Sequence, residues 1–163
     1  MVPNSEPDED RTTVTKYLSY TYRDKNGNPR VIKLPLAHIY LKSPITDTEA
    51  VGLLDTGATK TILPREYANI LSLVYIRDEK GNLVESEVVG AGATFICHVA
   101  NLQRLSLKKK AASFCTLCNI LILVPDQEGR IPYVILGRDY VFNRFDVTFH
   151  ERRQKVTFTK VGK

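Results

Sequence analysis

The chain has no tryptophan, one methionine and three cysteines in 163 residues. Three thiols do not build a disulfide scaffold. With a polar start (Met1 to Ser5) unlike a secretion signal, they suggest a reducing, cytoplasmic setting. Missing too is any apolar run near the ~20 residues of a membrane-crossing helix, so no membrane partner is expected. With 9 Gly and 8 Pro, and with no repeat or linker after residue 12, neither a collagen-like nor a wholly disordered chain fits. The first ten residues contain no Lys or Arg, while Glu6, Asp8, Glu9 and Asp10 supply four of the 18 acids. Residues 1–12 therefore read as a disordered acidic tail, and 13–163 as one folded domain. A chain of this size buries roughly 70% of its unfolded surface, enough for a core without staples.

Beyond residue 10, 23 basic side chains face 14 acidic ones, a net +9. Such a field suits acidic partners, but the cluster Arg104, Lys108, Lys109 and Lys110 has no interleaved aromatics, so nucleic acid is not expected as a partner. The body reads as strands. Val14–Arg23 and Val31–Leu41 flank a turn at 24–29, with Pro35 marking an edge or bulge. Val51–Leu54, Thr61–Leu63, Leu73–Arg77, Leu83–Val89, a run through His98, Phe114–Val124, Tyr133–Leu136, Asp146–His150 and Lys155–Lys160 are further strands. Helices are expected only at Arg65–Leu71, after Pro64, and at Arg138–Phe145. Many short strands with regular turns indicate one all-β barrel or sandwich.

The chemically informative stretch is Leu53, Leu54, Asp55, Thr56, Gly57, Ala58. An acid closing an apolar strand is unusual, because carboxylates avoid interiors. Gly57 permits a sharp turn, and turn amides can hold the ionised form. Taken alone, the triplet equally describes a tight turn capped by its own Asp. Cys97 with His98, and Cys115 with Cys118, offer four zinc-type donors. Adjacent strand residues point to opposite faces, however, and free Cys packs as a small hydrophobe, so no metal and no cofactor is expected. His38 and His150 lie in strand-like runs and read as structural.

Leu53 to Ala58 followed by Thr61 to Leu63 resembles the active-site loop of retropepsin-like aspartic proteases of the cellular, non-viral type. Two further segments agree in order. Val88, Val89, Gly90, Ala91, Gly92 and Ala93 resemble the glycine-rich flap, and Val134, Ile135, Leu136, Gly137, Arg138 and Asp139 resemble the second signature. The resemblance spans roughly residues 31–160. It implies an all-β, retropepsin-like closed barrel, and an aspartic endopeptidase in which Asp55 is catalytic. Thr56, Gly57 and Ala58 would support the loop, Val89 to Gly92 would bind substrate, and Ile135 to Arg138 would brace the site.

Peptide hydrolysis by carboxylates needs two acids sharing one proton. The chain has one Asp-Thr-Gly; Asp146 and Asp47 lack the pattern, and Asp139 falls on the bracing segment. The resemblance therefore implies a homodimer whose dyad takes Asp55 from each chain, acting on peptide or protein substrates. It also implies an interface built largely from terminal strands. Retroviral enzymes usually carry an Asp in this loop as partner to the signature Arg. Here Thr59 and Lys60 stand in that stretch, which leaves the partner of Arg138 open. The alternative is a retropepsin-like dimerisation or peptide-binding module with little proteolysis.

Overall fold

The structure is a computed structural model that describes residues 11–90, 93–109 and 112–161. The greater part of the acidic tail and the flap positions Ala91 and Gly92 lie outside the described residues. β1 (Thr12–Lys16) already pairs with β12 (Lys155–Lys160), so the ordered chain begins at least as early as residue 12.

Alternation of β-branched, aromatic and polar residues yields strands almost throughout, as the sequence predicts. β2 (Leu18–Arg23) and β3 (Pro29–Leu34) form a separate two-stranded hairpin through a turn in which Gly27 has φ 79°. The single strand expected over 14–23 is broken at Tyr17, which is buried and donates its hydroxyl to Glu151 at 2.6 Å. Pro35 likewise separates β3 from β4 (Leu36–Lys42). β4 pairs with β5 (Asp47–Leu54), which ends at Asp55. After the loop comes α1 (Arg65–Ile70), then β6 (Val74–Tyr75) and β7 (Glu85–Gly90). The long hairpin of β8 (Ala93–Lys109) and β9 (Ala112–Pro125) follows, and β10 (Val134–Leu136) and β11 (Phe145–His150) precede β12.

Three sheets result: β1-β12-β11, the β2-β3 hairpin, and a seven-stranded sheet in the order β10-β5-β4-β8-β6, with β7 and β9 also paired to β8. The architecture is all-β, as expected, but no closed strand barrel forms among the described residues. Among the described residues the gap is spanned at Ile62, which bridges Leu123 of β9 and Ile135 of β10. The expected strand over 61–63 is reduced to that bridge because Pro64 follows, and proline has no N–H to extend a ladder.

The second expected helix is also absent as such. Residues 138–142 form an irregular turn in which Asp139 is extended and Tyr140 has φ 69° and ψ −56°. Main-chain bonds to the Asp55 loop dictate this course, described below. The core fills the space between the sheets. Phe145 lies against Phe114 at 5.6 Å and against Phe158 at 5.8 Å, joining β11 and β12 to β9. Among the described residues no helix is long and apolar enough to cross a membrane.

Candidate active site

Alternation along β5 sets the site. Gly52 and Leu54 are buried, whereas Leu53 and Asp55 are half-buried and line an open cleft of about 790 Å³. β10 runs parallel to β5, pairing Val134 with Gly52, Ile135 with Leu53 and Leu136 with Leu54. Gly52 is needed there because a Cβ would stand 2.7 Å from the Leu136 side chain. The Asp55 amide continues the pairing, donating to the Leu136 carbonyl at 3.1 Å.

Beyond Asp55 the chain folds back on itself. The Gly57 amide donates to Asp55 Oδ1 at 2.8 Å, and the Ala58 amide to the Asp55 carbonyl at 3.3 Å. One carboxylate oxygen is thus held by the turn, while Oδ2 has no protein partner among the described residues. Gly57 sits so close that a Cβ would lie 3.1 Å from Oδ1. Thr56 is exposed beside it.

The second signature clasps this loop from below through its main chain. Arg138 and Asp139 donate their amides to the carbonyls of Ala58 and Thr59, each at 2.8 Å. Ile62 and Ile135 exchange two bonds of 2.9 Å. So tight an approach requires Gly137, where a Cβ would sit 2.3 Å from the Lys60 carbonyl oxygen. The side chains resolve the question left by Thr59 and Lys60. Arg138 donates to the Thr59 hydroxyl at 3.1 Å, and the Lys60 ammonium pairs with Asp139 at 2.6 Å. The opposite charge now stands on the signature segment rather than on the loop. The hydrogen bond from Lys60 to Asp139, which favours the ammonium, raises the pKa of Lys60.

Of the flap residues named from sequence, Val89 and Gly90 line the cleft; Ala91 and Gly92 lie outside the described residues. Ile135 also lines the cleft, while Leu136 is buried in the core. The sequence reading missed Arg130, Ile131, Tyr133 and Phe95, all on the cleft wall. Tyr133 was recoverable, because it shares the face of Ile135 two residues on. Its ring meets Tyr20 of the β2-β3 hairpin edge-on at 5.5 Å. Burial, then Tyr20 and Asp55, raise its phenol pKa. Arg130 carries no such signal, since nothing local ties it to β8.

None of the cysteines lines the cleft, although Cys97 packs directly behind its wall. Cys97 is fully buried under the flap with Ile62 and Leu123, Cys115 is half-buried and Cys118 exposed, and all three are free thiols. Among the described residues no cluster of His, Cys, Asp and Glu could hold a metal ion. The adjacent Cys97 and His98 diverge as a strand requires, His98 facing Glu85 at 3.4 Å.

The fold is that of retropepsin-like aspartic proteases. The structure is similar to a retropepsin-like aspartic protease from Rickettsia conorii, with a TM-score of 0.50 and 17% identity, over 91% of this chain and 93% of that one. It also matches the EIAV protease complexed with the inhibitor HBY-793, with a TM-score of 0.46 and 24% identity, over 68% of this chain and 88% of the other. No protein-family model matches the sequence. No curated protein matches it either.

Proposed function

We propose that the protein is an aspartic endopeptidase that works as a homodimer, with Asp55 of each subunit forming the catalytic dyad. The observation that carries this reading is the state of Asp55. Its carboxylate ends a buried strand at a cleft, one oxygen is fixed by the Gly57 amide, and the other has no partner among the described residues. An Asp that merely caps its own turn has no need of a cleft of about 790 Å³ or of the main-chain clasp beneath it.

Two such carboxylates brought together across a twofold axis share one proton, because like charges a few Å apart do not both ionise. The ionised member takes a proton from water as the water oxygen attacks the peptide carbonyl carbon. The protonated member gives its proton to the carbonyl oxygen, forming a tetrahedral diol. Collapse of the diol breaks the C–N bond, with a proton delivered to the leaving amine. Thr56, exposed beside the dyad, serves the contact between the two loops. Gly57 and Ala58 keep the loop thin enough for close approach, and Val89 to Gly92 hold an extended peptide as an added strand.

The test is digestion of an unfolded protein mixture by wild type and by Asp55→Asn, read by mass spectrometry. The substitution keeps volume and removes the titrating group, so folding is retained and cleavage should fall by at least about a thousandfold. Equal cleavage by both proteins would remove Asp55 from the chemistry.

A further inference from the structure

The cleft is apolar where the strands line it, through Leu53, Ile62, Val88, Phe95 and Ile135, yet two cationic residues, Lys60 and Arg130, also line it. Arg130 follows the turn at Gly129 and reaches across to β8. Its guanidinium carbon lies 5.4 Å from the centre of the Phe95 ring, and one nitrogen reaches the Thr94 carbonyl at 3.5 Å. Phe95 packs on Ile62, Cys97 and Leu123, and both it and the exposed Arg130 above its ring line the cleft.

None of the neighbouring charges neutralises Arg130. Lys60 is tied to Asp139 at 2.6 Å. Glu128 accepts from Asn69 at 3.0 Å, and Glu66 accepts the Gly129 amide at 2.7 Å. Glu87 of β7 is exposed and lines the same cleft, as does Asp55 at its floor, but neither forms an ion pair with Arg130. Among the described residues no carboxylate lies within ion-pair distance of Arg130. The cation is pre-oriented by an aromatic ring and left without an anion.

We propose that Arg130 is a specificity-determining residue, which selects peptides carrying an Asp or Glu side chain beside an apolar cleavage segment. A planar guanidinium held on a ring can take a carboxylate bidentately. A peptide laid over it excludes water, which strengthens that pair. An amide isostere such as Gln fits the same space but leaves the charge unmatched. The inference rests on the reading of the cleft as a peptide-cleaving site, and its test separates the two.

The probes are C-terminally amidated octapeptides with an uncharged N-terminal fluorophore and with Leu and Phe at the centre, in which Glu, Gln or Lys occupies each outer position in turn. Binding to Asp55→Asn is followed by fluorescence anisotropy, and cleavage by wild type is followed in parallel. At one position Glu should bind about tenfold more tightly than Gln, and kcat/KM should follow the same order. Arg130→Gln should reduce the ratio to about one, and Arg130→Glu should reverse the order in favour of Lys. Equal binding of Glu and Gln peptides at every position overturns the role of Arg130, whatever is cleaved. That role also falls if Arg130→Gln keeps the preference, or if only peptides with a free C-terminal carboxylate show it. Glu-selective binding without any turnover overturns the protease reading instead and leaves Arg130 as the reader of acidic peptides.

Discussion

Two glycines carry the shape of the Asp55 loop, and they fail in different ways. At Gly137 a methyl group would meet the main chain of Lys60 at 2.3 Å, and backbone cannot step aside as a side chain can. Gly137→Ala is expected to cost about 3 kcal/mol or more, or to prevent folding, and urea unfolding measures it. At Gly57 the nearest neighbour is the Asp55 carboxylate oxygen at 3.1 Å, a group that can rotate. Gly57→Ala should therefore leave the unfolding midpoint close to wild type while lowering cleavage at least about tenfold, because the carboxylate is displaced rather than the chain. The loop stood out in the sequence only through its context, since Asp-Thr-Gly alone also describes a self-capped turn and the flanking apolar strand and two further segments singled it out. The ties made by Thr59 and Lys60 were not legible there. Both pair with residues 79 positions away, and no local pattern encodes that distance.

At the scale of elements, β8 and β9 place Cys97 under the flap in full burial. Burial pushes its thiol from an ordinary 9.0 up to about 12, with Asp126 adding to the shift. The folded state thus keeps the proton that the unfolded chain gives up. The associated stability is complete below pH 9.0 and declines as pH rises toward about 12. In that window the loss should approach about 1.4 kcal/mol per pH unit. Cys97→Ala should be less stable at neutral pH, through its cavity, yet show a shallower alkaline decline when denaturant midpoints are compared across pH. β9 could be read in large part from the apolar run Phe114–Val124, but β8 only as far as His98, because the basic residues from Arg104 onward masked the strand that continues to Lys109. The segment 138–142 could not. Its apolar spacing suits a helix, but the amides of Arg138 and Asp139 are taken by the Asp55 loop, and Tyr140 is driven to φ 69°. The lost barrel closure has a different origin: Pro64 cuts the expected strand over 61–63 short, leaving Ile62 as the bridging residue.

For the whole molecule, the proposed dyad makes activity a property of two chains. Specific activity should fall on dilution in step with the dimer fraction seen by sedimentation. A fully active monomer at nanomolar concentration would end that model. The terminal strands require care in designing this test. β12 lies between β1 and β11 of its own chain, and Val156 and Phe158 are each only 1% exposed. Removing it would unfold the subunit rather than merely separate two of them, so dilution is the cleaner experiment.

The main-chain clasp between the Asp55 loop and residues 135–139 has a consequence for amide hydrogen exchange. The N–H groups of Asp55, Ile62, Ile135, Arg138 and Asp139 are each bonded to a carbonyl across that clasp. None can meet solvent deuterium unless the two segments part, and parting them also strips β10 from β5. These five amides should therefore exchange together, at the rate of global opening. The β2-β3 hairpin, which pairs with no third strand among the described residues, should exchange far sooner. Clefts are often pictured as the loosest part of a protein. Here the floor of the candidate site belongs to the last structure to open, while Arg130 on the wall above takes no part in the clasp.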